Sequence, residues 1–423
     1  MPMWKSTPLR SFRCALLLAS LVAADATAVD LDIRMLHEPG AQPAAQGTVL
    51  VYELNARNRD AAECARLVDV RAEGGAGASS LQRRYQGKAI ASNALVYGYE
   101  NGEIVSYRNP DDPRESAYPV DVPPGGGVIL YFFLSVAEGK PMPAALRHEL
   151  DFTACADGAS ARRTIALESP VSSQPPVVVG LPFRGDGWVA GDSVNPGGTH
   201  RRTVIPVRGA DGRLVEGEFH VPERYAIDWV MVDDDARREI GPIDRNASYL
   251  AWGQEIVAVA DGVVSRTRDG MVEGTPPLNP PNPTVEMAAG NYVMQAIGDG
   301  HYAFYAHLQP GSLRVAEGQR VARGQVIALL GNSGNSSEAH LHFHVSNAND
   351  PLMSEGLPFV FDQFQATGQV DGMDEETGVF DDYQRHDPVP LWLRMPASYS
   401  VLTTAPAAAW PPSWAFPLSR CTP

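Results

Sequence analysis

The sequence predicts an all-β chain of two domains, an immunoglobulin-like β-sandwich followed by a second strand-rich domain. Three observations carry that expectation. At 423 residues the chain is longer than one ordinary core accommodates. Its 39 glycines and 35 prolines supply turns at a density suited to short strands. Apolar and polar residues alternate in short segments, and nothing helical of any length stands out in the second half.

Taken in chain order, Lys5, Arg10 and Arg13 precede an apolar run from Cys14 to Ala24, followed by Ala26-Thr27-Ala28. This reads as a secretory signal peptide over 1–28, because the run is too short for a membrane span and the small residues fit cleavage before Val29. The expectation is an exported protein, periplasmic or extracellular, with no stable membrane span after cleavage. In an oxidising compartment Cys64 is expected to pair with Cys155, both lying in strand-like segments of one domain. That leaves Cys421 free unless it bridges to one of them.

Residues 29–168 read as the sandwich. Candidate strands include Gly47–Asn58, Cys64–Ala72, Ala94–Tyr99, Val128–Leu134 and His148–Cys155, with turn chemistry at Asn101-Gly102 and Pro123–Gly127. His37 and His148 stand alone there, without a catalytic cluster. The polar, proline-rich stretch 169–180 reads as a linker, 181–366 as the second domain, and 367–423 as a C-terminal extension wrapping the surface.

Charge and composition exclude several classes. A formal net charge of -16 argues against a nucleic-acid partner, which needs a concentrated basic surface. No lysine follows Lys140, and no Gly-x-Ser-x-Gly elbow is present. The histidines do concentrate: seven of the ten lie between His200 and His344. Within Ala339-His340-Leu341-His342-Phe343-His344, residues two apart in a strand share one face at about 6.6 Å. One imidazole can then hold a metal while its neighbour handles a proton.

The run Val315–Gly334, followed by His340-Leu341-His342-Phe343, resembles the LytM/lysostaphin-like zinc metallopeptidases. Trp252–Val264 is similar to that family's first core hairpin, and Tyr305-Ala306-His307-Leu308 to its Tyr-x-His-Leu element. A biotinyl or lipoyl carrier shares the hairpin style but requires an attachment lysine. The resemblance covers about residues 180–365. It implies a lysostaphin-like antiparallel β-sheet peptidase domain, a Zn2+ cofactor, and a peptide substrate, with peptidoglycan cross-links as the substrate class. By the same resemblance His342 and Asp228 are zinc ligands, while His307 and His340 flank the attacking water.

The chain departs from the family where His-x-Gly-x-Asp becomes Arg224-Tyr225-Ala226-Ile227-Asp228, so the first ligand is missing. His220 lies eight residues before Asp228, about 26 Å away if extended. His200 is better placed, on an expected hairpin formed by 199–207, the turn Gly209–Gly212 and the strand toward Asp228. A branch of the family with His-Arg-Arg and Ala-Ile-Asp-Trp elements is similar to this chain and favours His200. The expected metal set is therefore His200, Asp228 and His342. The alternative is a degenerate domain that binds cell wall or regulates another hydrolase. His344 is a candidate partner of His342, and the loop Pro276–Pro281 a candidate wall of a substrate cleft.

Overall fold

The segment Gly47–Asn58 forms one strand buried along nearly its whole length. Its side chains alternate between two faces. Leu50, Tyr52, Leu54 and Ala56 enter the core of an N-terminal module, while Val49 and Val51 on the other face enter the core of a second one. Glu53 and Asn55 share that second face and are fully buried. A near-continuous apolar run suits a strand covered on both sides, and here the covers are two different modules.

A computed structural model describes residues 30–45, 47–75, 81–108, 119–155, 162–280, 284–371 and 380–404. The expected signal segment 1–28 and Cys421 lie outside them. Among the described residues no helix is long and apolar enough to cross a membrane.

The N-terminal module is two antiparallel sheets over one core. The first has the spatial order Leu31–Met35, Gly47–Asn58, Gly127–Val136, Ala94–Glu100 and Glu103–Arg108, with Ala41–Ala44 also paired to Gly47–Asn58. The second runs Arg163–Pro170, Ala145–Ala154, Ala65–Gly74 and Leu81–Gln86, with Val120–Val122 beside Ala65–Gly74. Cys64 and Cys155 are bonded where two neighbouring strands of this second sheet end, their Cα atoms 5.5 Å apart. In an antibody domain the bridge clamps the two sheets face to face; here it staples neighbours within one sheet. His148 is buried in the core, 2.9 Å from the Tyr52 hydroxyl.

The second module is one large sheet with the spatial order Val177–Val179, Phe359–Asp371, Ser400–Thr403, Trp188–Ala190, Ile227–Met231, Leu341–Ser346, His301–Leu308, Asn291–Gly298, Gly262–Arg268 and Arg320–Val321. A two-stranded sheet, Glu255–Val257 with Val326–Leu329, completes a core that includes Trp188, Trp229, Leu341, Phe343, Val345 and Phe361. The segment beyond residue 366, expected to wrap the surface, instead supplies strands. Phe359–Asp371 runs across that boundary, Asp381–Arg394 pairs with it, and Ser400–Thr403 inserts beside Trp188–Ala190. Pro388 and Pro390 disguise Asp381–Arg394, which pairs on one side only, where a missing N–H is tolerated. The expected linker likewise includes Val177–Val179, paired in parallel with Phe359–Phe361.

Candidate metal centre

Alternation in the central strand sets the site. Leu341, Phe343 and Val345 fill the core, so His342 and His344 face the other way. Ile227–Met231 pairs with this strand in a register that puts Asp228 opposite His342, and Ala306 lies opposite His342 on the far side. The segment from Arg224 to Asp228 is part turn and part strand. Residues 222–225 form a turn, closed by Ala226 N–H donating to Glu223 O at 2.9 Å, and the strand begins at Ile227.

His200 reaches the same place by another route. It opens a short 3-10 turn, His200–Arg202, rather than lying on the expected hairpin, whose strands are Ile205–Arg208 and Leu214–His220. Asp192 holds that turn: its carboxylate accepts the backbone N–H groups of Thr199 and His200 at 2.8 and 3.2 Å. The side chain of His220 turns away and pairs with Glu355 at 3.0 Å.

Hydrogen bonding to carbonyls fixes which nitrogen of each ring carries the proton, since a carbonyl only accepts. His200 Nδ1–H donates to Asp192 O at 2.9 Å, His307 Nδ1–H to Ser333 O at 2.8 Å, and His340 Nδ1–H to Glu338 O at 3.0 Å. Each ring therefore has Nε2 as its remaining nitrogen. That of His200 lies 3.3 Å from Asp228 Oδ2, and that of His340 3.6 Å from the same oxygen. His342 Nδ1 is 3.0 Å from Asp228 Oδ1, and its Nε2 is 3.0 Å from His344 Nδ1. The His307 and His340 rings are 4.6 Å apart, alongside the cluster.

His200, Asp228 and His342 each offer one ligand atom, all within 4.8 Å of one another. A tetrahedral ion with arms of about 2.0–2.1 Å has ligand–ligand edges of about 3.3 Å. His200 Nε2 and His342 Nδ1 approach Asp228 at about that edge, though on different carboxylate oxygens, and with one atom of each within 4.8 Å of the others the donor set fits a small cation. Burial works against the charge on Asp228, yet His200 and His340 hold its carboxyl well below the usual range. Burial also opposes protonation of His200, but Asp228 raises it to about 10, which a cation at the cluster would reverse by claiming the Nε2 lone pair. Burial, with the neighbouring imidazoles, pushes His307 and His344 well below the ordinary histidine range.

The cluster floors a cleft of about 320 Å³ whose lining includes His307, His340, Glu223 and Asn279. Asn279 comes from the Pro276–Pro281 loop. Glu223 was not singled out from sequence; its Oε1 is 3.7 Å from His342 Nε2, and its only signal was its place just before Arg224. Tyr305 is buried, donating to Gln295 Oε1 at 2.6 Å and accepting from Val259 N–H, so it packs rather than faces the cleft.

Arg224 does not enter the cluster. Its guanidinium is sealed among Glu53 Oε2 at 2.8 Å, Glu355 Oε2 at 3.0 Å and Gly356 O at 3.2 Å. Burial raises the Glu53 carboxyl, against the opposing pull of Arg224.

Two histidines and a carboxylate that converge beside two further histidines are a donor set able to hold a metal ion. Residues 246–353 match the model of Peptidase family M23, so the chain carries a domain of that family. The match includes His307, His340 and His342 but begins after His200 and Asp228. Over 147 residues the chain is 30% identical to the peptidoglycan DD-endopeptidase ShyA of Vibrio cholerae, covering 32% of this chain and 30% of that protein. Over 89 residues it is 39% identical to an uncharacterized metalloprotease of Haemophilus influenzae, covering 19% and 18%. Both matches thus span less than a third of those relatives. The catalytic domain of lysostaphin from Staphylococcus simulans is 20% identical over 36% of this chain and 84% of that one, at a TM-score of 0.21 too low to carry a structural argument.

Proposed function

We propose that the protein is an exported zinc metalloendopeptidase that hydrolyses peptide bonds in peptidoglycan. The observation that supports this reading is the convergence of one ligand atom each from His200, Asp228 and His342, within 4.8 Å of one another, at the floor of a cleft. His200, Asp228 and His342 are assigned as the metal ligands, and His307 and His340 as the catalytic histidines. Zinc, when bound there, supplies Lewis-acid polarisation of a peptide carbonyl and acidifies water. The chain's own residues do the rest. His340 and His307 are each anchored through Nδ1, and their Nε2 atoms are the groups that accept a proton from the attacking water and return it to the leaving amine. Peptidoglycan as substrate follows from the similarity to ShyA, and export from the substrate's location.

Zinc per full chain, together with the soluble fragments released from purified sacculi, tests this. About one zinc and a release of cross-link fragments are expected, both abolished in His200→Ala. A folded parent protein without zinc would shift the reading to a domain that binds cell wall without cleaving it.

A further inference from the structure

Both ligands that lie upstream of the family match are tethered to the N-terminal sandwich. Four residues before Asp228, Arg224 is buried against Glu53, which stands on Gly47–Asn58; its Nε donates to both Glu53 oxygens at 3.1 and 3.0 Å and its Nη2 to Oε2 at 2.8 Å. The next residue repeats the tie, with Tyr225 Oη donating to Val51 O at 3.3 Å. Directly after His200, Arg201 is buried with its guanidinium 5.9 Å from the Tyr131 ring and 6.0 Å from the Phe133 ring, both on Gly127–Val136. Tyr131 Oη in turn donates to Arg202 O at 3.3 Å. Glu53, bonded to Arg224, also feels the charge of Arg201.

Resting on the peptidase reading, we propose that the sandwich is a structural half of the metal centre: Glu53 acting through Arg224, and Tyr131 with Phe133 acting through Arg201, are positioning residues for Asp228 and His200. The physical case is geometric. A metal site tolerates ligand displacement of only about 0.5 Å; His200 sits in a three-residue 3-10 turn outside any sheet, and Asp228 is the second residue of a strand entered from the 222–225 turn that Arg224 anchors. His342 sits mid-sheet between two paired strands, whereas Asp228 lies at the start of one of them and His200 outside the sheet. Where the usual histidine ligand of the Asp228 turn is absent, the arginine in its place converts that position from binding metal to anchoring on the sandwich.

The experiment measures zinc affinity of the full chain by competition with a chromophoric chelator, and the visible absorption bands of the Co2+-substituted protein. Glu53→Gln and Tyr131→Leu are each expected to weaken zinc binding by about 10–100-fold, the usual effect of losing a ligand-orienting partner, and to shift the cobalt bands. Tyr131→Phe, which keeps the ring, is expected to restore both. Glu138→Ala, which removes an exposed inter-module pair with Arg394 at 2.7 Å, is expected to match the parent. Folded Glu53→Gln and Tyr131→Leu proteins with parental affinity and parental cobalt bands would overturn the proposal while leaving the peptidase reading intact. A parent that binds no zinc overturns both. Should Glu53→Gln not fold, Tyr131→Leu decides the matter alone, since Arg201 keeps its hydrogen bonds to Pro196 O there.

Discussion

Four residues separate Arg224 from Asp228, yet the two charges end in opposite surroundings. Around Arg224 the bonding is saturated: Glu53, Glu355 and a backbone carbonyl take its N–H groups in a dry interior. Around Asp228 the partners are instead imidazoles at the floor of a cleft: His200, His307 and His340 are each held at Nδ1, and the Nε2 atoms of His200 and His340 turn toward the carboxylate. Saturated polar clusters hold a structure in place, and half-saturated ones at a cleft are available for chemistry. The two clusters should therefore fail differently.

The largest effect is expected in the open cluster. His340→Ala should lower peptide hydrolysis by about 10²–10⁴-fold, as loss of a proton-transfer group does, while the urea midpoint of the metal-free protein shifts by under about 1 kcal/mol in stability. An equal loss of stability would show that His340 is structural. In the sealed cluster the order reverses: Glu53→Ala strands Arg224 and should cost about 3–5 kcal/mol in chemical denaturation. A variant as stable as the parent would mean that water or Glu355 compensates Arg224 fully.

A third buried group sharpens the contrast through pH. Burial lowers His148 to about 4, so it stays neutral in the folded chain while an unfolded histidine titrates near 6.5. Between those values the unfolded state binds the extra proton, so stability is complete above pH 6.5 and falls as pH drops toward 4, by up to about 3 kcal/mol. His148→Gln should flatten that part of a melting-temperature profile; an unchanged slope would assign the effect elsewhere. The smallest effect is expected from Ser336→Ala. Its Oγ, 3.2 Å from His340 Nδ1, only supplements the Glu338 carbonyl, and a two- to five-fold change in kcat, about 0.5–1 kcal/mol, is expected.

What was legible in the sequence was local. Period-two alternation marks Leu341–Ser346, and its two histidines on one face need no tertiary knowledge. The resemblance supplied Asp228 and His307. The route of His200 was not legible: the hairpin exists, but the histidine precedes it in a turn set by Asp192, a side chain-to-backbone arrangement with no periodic signature. Asp381–Arg394 was hidden because Pro388 and Pro390 read as loop, although an edge strand accepts them. The Glu53–Arg224 contact spans 171 residues, and nothing in either local segment announces such a pair.

That span also sets an order of assembly. Gly47–Asn58 is synthesised early, and its sandwich face can be covered by strands that follow within about a hundred residues, whereas Val49, Val51 and Glu53 must wait for the turn at Arg224. A chain interrupted after the sandwich presents a long strand with one bare apolar face and a buried-type carboxylate, a surface suited to chaperone capture or self-association. The two modules should consequently melt together in calorimetry, as one cooperative unit rather than two.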